Sequence, residues 1–586
     1  MKIKAAIVFV FIGIIAYAAF SAKREFAPAE DLPGEAVVYV EFTDLPAFLQ
    51  LWEKSELKQK YLESENFISL KQRRLGLKLA SRWQEFNEAV GFPLDLETVG
   101  TLSEKRAAIG IYDVGKLEFV FIAPVSSEIF TATKFFQNKE QFEEKLLEDG
   151  TSVFSLNVHA DHGRQSQKLL FASVKERFVL ATSEKLLLQT VNNIDGKTNR
   201  NRLTDEPSFK SLTENLEPSL VSVWVNQTAL NKDYYFKRYW LMSDTNKLKN
   251  IRAGIFDISL EEKKIVERRK FLLEKEANTA KLYPAETQKM HSLVPSDVSF
   301  YRMQTADANA SVNAIFDCIF DRKVQTAKAE PRNYSPSYSF YDFDNSEQRD
   351  YEYLDRKFDE TIDEIPEDNF KESKVVADKS YQSNLQNVLQ AANPQSVLTL
   401  TEPKNLPVPL FAEFRRAAVI KTGAPVNQIQ LETAVAQAAR SRISISASDI
   451  NLTWKTVGEN ESSWRELNLP MLGWEICYAQ RGENLIVSNS SNLLREILTQ
   501  SEDMPIEKVS ASPIDNLTVI HLKNKNENFD EIFGKLAGEN SNDFFLGSVG
   551  SLLETMSGIK TIEIENSINS RYQEEKITFN LEQILE

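Results

Sequence analysis

Near the start of the chain, the hydrophobic and polar positions form two patterns, one typical of a strand and one typical of a helix. Ala36–Phe42 is a short apolar run, which predicts a buried β-strand. The next segment places Phe48, Leu49 and Trp52 on one helical face, and Asp44 stands before it. Because aspartate caps the free amides of a first turn, we predict a helix that begins just after Asp44.

The same two patterns continue through the first half of the chain. A second helical pattern covers about residues 70–90. After it, Arg106–Tyr112 and Leu117–Ala123 flank a short polar turn that contains Gly115, which predicts a β-hairpin. Strands joined by short turns pair antiparallel, so we expect an α+β fold with helices on one face of a mostly antiparallel sheet.

The order of elements returns later in the chain. Pro33–Tyr39 is matched by Pro295–Tyr301, with the proline and the tyrosine six residues apart in both. Phe178–Ser183, followed by EKLLLQTV, is matched by Leu485–Ser490, followed by SNLLREIL. In this second pair of segments, an apolar strand pattern is followed by a polar capping residue, and an amphipathic helix pattern begins after it.

Further matches follow in the same order, and together they predict a tandem duplication. The matching segments are Leu220–Asn226 with Leu517–Lys523, and the closing strand pair Ile255–Leu260 and Ile265–Leu273 with Ile562–Glu565 and Lys576–Leu581. We therefore predict two α+β repeats, residues 26–285 and 290–586. Each repeat is expected to be a mostly antiparallel sheet with helices on one face.

The N-terminus predicts export. Ala5–Ala22 contains eighteen residues without a charge, and Lys2 and Lys4 precede it. The length of this run lies between that of the apolar region of a signal peptide and that of a minimal membrane-spanning helix. We favour an uncleaved signal anchor within residues 1–25, followed by a linker over 26–31. The predicted location is the bacterial inner membrane, single-pass, with the body periplasmic or extracellular; the alternative is secretion after cleavage behind Ser21.

Residues 325–378 have a different composition from the rest of the second repeat. Between Tyr341 and Glu372 there are thirteen Asp or Glu residues and four Lys or Arg residues. Such a segment buries too little apolar surface to offset its chain entropy, so we predict a disordered acidic insertion. The alternative is an acidic binding arm in which Tyr341, Tyr351 and Tyr353 contact a partner.

Composition and cysteine content narrow the function classes. The chain has 586 residues, 42% hydrophobic, and a formal net charge of −16, so it can bury a core and is expected to repel nucleic acid. Cys318 and Cys477 are its two cysteines. An exported protein could form a disulfide between them, but the patterns around them favour two buried thiols.

Three segments resemble a known protein family. They are LPGEAVVYVEFTDLPAFLQLWEKSELKQKYLES (residues 32–64), GTLSEKRAAIGIYDV (100–114) and SLVSVWVNQTAL (219–230). They resemble bacterial envelope proteins classified only as a domain of unknown function, which have an N-terminal hydrophobic segment and a Leu-Pro start before a Val/Tyr-rich strand. The resemblance is clearest over about residues 30–275 and implies an exported bacterial protein. Its motifs are structural, so it assigns no site residue.

Motifs for chemistry are sparse. His159 and His162 form the one compact pair of metal-ligand type, but no third ligand is visible nearby, which favours solvated turn histidines. Gly110–Leu117 has the spacing of a phosphate-binding loop but ends in leucine where serine or threonine holds magnesium. No G-x-S-x-G motif is present. We therefore predict no catalytic residue, no cofactor and no metal, with His159 and His162 as weak candidates.

The sequence favours a non-catalytic function. The first hypothesis is an exported envelope protein, tethered to the membrane through residues 5–22, that binds or spaces an envelope protein whose identity the sequence does not give. The alternative is a carrier of an apolar ligand or lipid, lined by some of the 36 phenylalanines. A metal-dependent hydrolase that uses His159 and His162 is the least favoured hypothesis.

Overall fold

The chain has an α+β fold with an extensive antiparallel sheet. The computed structural model describes residues 26–54, 56–63, 67–68, 74–114, 116–148, 150–158, 167–197, 201–214, 216, 219–232, 250–261, 263–296, 298–319, 380–405, 414–442, 452–459, 463–469, 473–500, 512–522 and 559–581. The chain divides into two compact units. The first unit is residues 1–305 with 502–586, and the second unit is residues 306–501.

The strands of the first unit are β1 Val38–Phe42, β2 Ala107–Asp113, β3 Glu118–Pro124, β4 Glu143–Leu146, β5 Ser152–Val158, β6 Gln167–Val174, β7 Arg177–Ala181, β8 Val221–Val225, β9 Ile251–Glu261, β10 Lys264–Asn278, β11 Phe300–Thr305, β18 Asn516–His521 and β19 Ile559–Leu581. The strands of the second unit are β12 Pro394–Asn405, β13 Phe414–Thr422, β14 Lys455–Val457, β15 Trp464–Leu469, β16 Trp474–Arg481 and β17 Asn484–Ser488.

The helices of the first unit are α1 Pro28–Asp31, α2 Leu45–Lys54, α3 Glu56–Glu63, α4 Arg74–Val90, α5 Leu96–Gly100, α6 Ser127–Ala132, α7 Lys134–Gln137, α8 Glu184–Asp195, α9 Pro207–Thr213, α10 Gln227–Leu230 and α11 Pro284–His291. Short 3-10 turns occur at Lys139–Gln141 and Leu203–Asp205. The helices of the second unit are α12 Ala308–Ile319, α13 Ser380–Ala392, α14 Gln428–Arg442 and α15 Ser491–Thr499.

Strand pairing in the first unit follows one continuous antiparallel path. The order is β4-β5-β6-β7-β3-β2-β1-β8-β9-β10-β19-β18-β11. Element β19 folds back on itself. Hydrogen bonds join its two ends: the Asn580 side-chain amide donates to Thr561 Oγ1 over 2.6 Å, and Lys576 Nζ donates to Glu565 Oε1 over 3.0 Å. One arm of β19 therefore pairs with β18 and the other pairs with β10.

The second unit has its own antiparallel sheet with the order β12-β13-β17-β16-β15-β14. Three helices, α12, α13 and α14, pack against one face of it in a common apolar cluster. Helix α15 packs against β13, β16 and β17 through the buried side chains of Leu493, Leu494 and Ile497.

Helices cover both faces of the sheet in the first unit, which corrects the prediction of helices on one face. On β3 all five residues Phe119–Ala123 are buried. Successive strand residues point to opposite faces, so a continuous apolar run makes both faces hydrophobic and both need a cover. Val120 and Ile122 pack with α8 and α9, whereas Phe119 and Phe121 pack with α4, α6 and α7.

Several local predictions are confirmed. The predicted helix at 70–90 is α4, and the predicted hairpin is β2 and β3, which pair with Ala108 opposite Ile122. Asp44 caps α2 as expected, because its Oδ1 accepts from the Ala47 amide over 2.9 Å.

Other predictions stay predictions. The N-terminal hydrophobic helix, residues 5–22, and the acidic insertion, residues 325–378, lie outside the described residues. Among the residues that are described, no helix combines the length and apolar character needed to cross a bilayer. The predicted repeat boundaries, 26–285 and 290–586, differ from the compact units, because residues 502–586 belong with the first unit.

Candidate functional site

The site residues singled out from the sequence fall outside the part of the chain that the structure describes. This holds for His159 and His162 and for the three tyrosines of the acidic segment, Tyr341, Tyr351 and Tyr353. Their proposed roles in metal binding and partner binding stay predictions.

The two cysteines are both buried, as predicted, and neither forms a disulfide in the structure. The Cys318 thiol, on α12, donates to the Arg416 carbonyl over 3.2 Å, and the Cys477 thiol, on β16, donates to the Ser488 carbonyl over 3.3 Å. Burial raises the pKa of the Cys477 thiol. Because the thiolate is the reactive form, Cys477 is poorly suited to act as a nucleophile.

The segment that follows the N-terminal apolar run is fastened to the body instead of forming a linker, which corrects the prediction for residues 26–31. Phe26 packs against the apolar cluster of the first unit. Its carbonyl accepts from Arg106 Nη1 over 2.9 Å, and the Arg177 guanidinium lies 5.6 Å from the centre of its ring. Both the backbone and the ring of Phe26 are thus held in place.

Hydrogen bonds continue this attachment through Gly34, and we call residues Phe26–Gly34 with the groups that hold them the N-terminal clamp. Asp31 Oδ2 lies 3.1 Å from Arg177 Nε, and the Asp31 carbonyl accepts from the Asn193 amide over 3.1 Å. The Tyr112 hydroxyl donates to the Pro33 carbonyl over 3.1 Å. A segment of nine residues is therefore fixed by side chains that are distant in the sequence.

Two carboxylates lie on strands β1 and β9 of the first unit, on either side of β8. Glu41 accepts hydrogen bonds from Tyr39 and Arg106, and Asp257 accepts from the Ser222 hydroxyl over 2.5 Å. Burial raises the pKa of Asp257, although the hydrogen bond from Ser222 acts in the opposite direction. Carboxylates can act in acid–base catalysis only where a substrate can reach them. Asp257 is 5% exposed and Glu41 is already engaged, so this pair has a structural role.

Two histidines flank one buried tyrosine in the first unit. The Tyr301 hydroxyl lies 3.0 Å from His291 Nδ1, and the rings of His291 and His521 lie 5.6 and 5.9 Å from the Tyr301 ring. Burial raises the pKa of Tyr301, with Glu563 adding to the effect. A phenol and an imidazole at this distance form a proton donor and acceptor pair, but Tyr301 is 2% exposed and packed among strands β11, β18 and helix α11.

This cluster makes stability depend on pH. Burial lowers the pKa of His291 and of His521, and the nearby charges of His291 and Lys560 lower the pKa of His521 further. The unfolded chain therefore binds protons more readily than the folded chain, so stability is lost as pH falls below about 6.5. We expect a His291→Gln, His521→Gln double variant to lose less stability than the natural chain when urea unfolding is compared at pH 7.5 and 5. An identical pH dependence in both proteins would exclude this role.

The helices between β1 and β2 expose large apolar side chains, and we call α2, α3 and α4 with residues 67–68 the helical arm. The exposed side chains are those of Leu51, Leu62, Ile68 and Trp83. Trp83 is 43% exposed although tryptophan is usually among the more buried residues. Because tryptophan is enriched among the residues that anchor a partner, the exposed Trp83 makes the helical arm a candidate contact surface.

Within the described ranges, no three His, Cys, Asp or Glu side chains approach one another closely enough to hold a metal ion. The polar clusters found there contain residues that are satisfied by one another. In chemical terms, the described surface offers apolar contact area on the helical arm and a rigid attachment at the N-terminal clamp.

Comparisons with known proteins add little to this geometry. Neither a protein-family model nor a characterised protein sequence matches the chain. Among solved structures, crystal forms I, III and IV of TP0453 are similar to 44, 47 and 43% of this chain and to 82, 90 and 83% of that chain. The identities are 11, 11 and 10% and the TM-scores are 0.26, 0.25 and 0.25, values at which a likeness indicates neither family nor function. The resemblance to bacterial envelope proteins stays a prediction.

Proposed function

We propose that this protein is an exported, membrane-tethered and non-catalytic module that binds or spaces an envelope protein through its helical arm. The exposure of Leu51, Leu62, Ile68 and Trp83 on consecutive helices is the observation that supports this proposal most directly. Burying a tryptophan and neighbouring aliphatic side chains at an interface contributes the largest share of many binding energies. The anchor is the apolar run of residues 5–22.

The chemistry of the described polar clusters favours binding over catalysis. Glu41 is bonded to Arg106 and Tyr39, and Asp257 is bonded to Ser222. A catalytic group needs a free position next to a substrate, whereas both oxygens of Glu41 and Oδ1 of Asp257 are engaged by protein groups.

We further infer that the two predicted repeats are copies of one fold. The strand order β4-β5-β6-β7-β3-β2 in the first repeat and β14-β15-β16-β17-β13-β12 in the second is the same sequence of elements shifted by ten strands. Likewise β1 pairs with β8, and β11 pairs with β18. Tyr39 and Tyr301, the matched tyrosines, are both buried in these strands. This agreement supports a tandem duplication.

The packing of the phenylalanines favours a binding module over a carrier. The Phe171 ring contacts the rings of Phe142 and Phe154, whose centres are 5.0 and 4.8 Å away. Rings at such distances are in direct contact, which supports a packed core at this place over a ligand cavity. The carrier and the hydrolase remain alternative hypotheses, the latter through His159 and His162.

Crosslinking from intact membranes tests the proposed binding surface. We expect a Leu51→Ser, Trp83→Ser double variant to recover at least tenfold less crosslinked envelope protein than the natural chain, because losing a tryptophan that anchors an interface costs about 2 kcal/mol or more, and about 1.4 kcal/mol corresponds to tenfold. Both side chains are partly exposed, so the variant should retain its melting temperature.

Ile429 supplies a matched control for this experiment. It lies on α14 of the second unit and is 77% exposed, so Ile429→Ser removes exposed apolar surface of the same kind elsewhere. We expect this variant to recover the same crosslinked proteins as the natural chain. Equal recovery by the helical-arm variant would show that the arm is not the contact surface.

A further inference from the structure

The described chain begins at a point whose position is fixed relative to the first unit. Phe26 is held through its carbonyl by Arg106 and through its ring by Arg177 and the apolar cluster. Asp31 and Gly34 extend the attachment, since Asp31 pairs with Arg177 and the Gly34 amide donates to the Asn201 carbonyl over 2.9 Å. The body of the first unit therefore determines where residue 26 lies.

Little chain separates this fixed point from the proposed membrane anchor. The apolar run ends at Ala22, and Lys23, Arg24 and Glu25 are the residues between it and Phe26. Whatever conformation these residues adopt, four residue steps span at most about 14 Å. The headgroup region on one side of a bilayer is itself roughly 5–8 Å thick. Phe26 must then lie in the headgroup layer or just outside it.

We infer that the edge of the first unit around Phe26 lies against the headgroup layer of the membrane, and that the N-terminal clamp sets this orientation. This inference rests on the proposed membrane tether. The edge includes Lys105 and Arg106, just before β2, and Arg177, the first residue of β7. A body joined by a long flexible linker would tumble freely, whereas this one has no slack between its anchor and its fixed point.

The charges at this edge indicate that proximity, and not attraction to anionic lipid, sets the orientation. Two of the three cationic side chains named at this edge are engaged within the protein, Arg106 with Glu41 and Arg177 with Asp31, which leaves the single charge of the exposed Lys105. Paired charges contribute little to binding an anionic surface because each arginine is already neutralised by its partner. The orientation should therefore be the same on zwitterionic and on anionic membranes.

Lipid-headgroup quenching measures this orientation in the full chain. The protein is reconstituted into phosphatidylcholine vesicles that contain a headgroup-labelled quencher, with one added cysteine, Lys105→Cys or Lys116→Cys, carrying a fluorophore. Both side chains are exposed, and they lie at opposite ends of the β2–β3 hairpin, about 25 Å apart along the strands. We expect at least twofold stronger quenching at position 105. Cys318 and Cys477 are buried, so the natural chain gives the background labelling.

A variant with a longer linker shows whether the N-terminal clamp causes the orientation. Twelve Gly and Ser residues inserted between Glu25 and Phe26 add a root-mean-square reach of about 20 Å. We expect the difference in quenching between the two positions to disappear while the protein still sediments with the vesicles. In the protein without the insertion, the quenching difference between positions 105 and 116 should be the same in phosphatidylcholine vesicles and in vesicles that contain phosphatidylglycerol.

The outcomes separate this inference from the proposed function. If the natural chain sediments with the vesicles but both positions are quenched equally, the tether stands and the proposed orientation is overturned. A quenching difference that appears only with phosphatidylglycerol, or that survives the inserted slack, also overturns it, because the clamp would then not be the cause. If the chain does not sediment with the vesicles, the membrane tether itself fails and the orientation fails with it.

Discussion

Replacement of Phe171 by alanine is expected to destabilise the first unit by about 3–5 kcal/mol, among the largest effects of any single substitution in this chain. Phe171 is fully buried on β6, and its ring contacts five others. The neighbouring rings are those of Phe130, Phe135, Phe142, Phe154 and Phe178, with centres 4.8 to 6.4 Å away. These rings come from helices α6 and α7, from strands β5 and β7 and from the residue after a 3-10 turn, so the cavity could not close without moving several elements.

Urea unfolding combined with hydrogen exchange of peptides from β6 and β7 measures this effect in the unit concerned. Phe171→Leu keeps most of the volume and should cost roughly a third as much. Phe136→Ala is the matched control, since Phe136 is partly exposed on α7 and its ring contacts Phe130 and the Lys139 ammonium. A cost below 1 kcal/mol for Phe171→Ala would mean that this cluster is loosely packed, which would favour the carrier hypothesis.

Local elements were predictable because their signals are local. The run Phe119–Ala123 identified a strand, and Asp44 identified the start of a helix, since strand periodicity and helix capping both act within a few residues. The same run of five apolar residues also contained the information that both faces of the sheet are covered. Reading it only as a hairpin strand led to the wrong prediction of helices on one face.

The functional surroundings were not predictable because they depend on residues far apart in the sequence. Asp31 and Arg177 meet in the N-terminal clamp, and His291 and His521 meet around Tyr301. Nothing near Asp31 indicates that an arginine 146 positions later will pair with it. Phe26 offered a signal, since a bulky aromatic residue in a segment assigned as a linker favours burial.

The orientation and binding proposals lead to one picture of the protein at a membrane. In the proposed picture, the N-terminal clamp, with Arg106 bonded to the Phe26 carbonyl, would hold the first unit close to the bilayer, and the helical arm would present the exposed Trp83 to other molecules there. A partner confined to the same membrane meets a short-tethered surface at a high effective concentration, so modest contact area suffices for binding.

Replacement of Glu432 by alanine is expected to destabilise the second unit by about 2–3 kcal/mol. Glu432, on α14, accepts from Arg465 Nε over 2.7 Å and Nη2 over 3.2 Å, and from the Tyr478 hydroxyl over 2.7 Å. Burial opposes its ionisation, but the hydrogen bonds from Arg465 and Tyr478 outweigh burial and lower the pKa of the carboxyl. Alanine would leave a half-buried guanidinium and a hydroxyl without the acceptor that fastens α14 to β15 and β16.

The size of this effect depends on burial, and a second Glu–Arg ion pair in the chain, which is exposed, provides a comparison. Glu276 and Arg571 form an ion pair at 3.2 Å, but their side chains are 61 and 62% exposed. Exposed pairs contribute less than about 1 kcal/mol, so Glu276→Ala should change the urea midpoint of the first unit very little. Glu432→Gln keeps the shape and one acceptor oxygen, and it should recover about half of the loss. Equal costs for Glu432→Ala and Glu276→Ala would show that the Glu432 network is solvated and does not fasten α14.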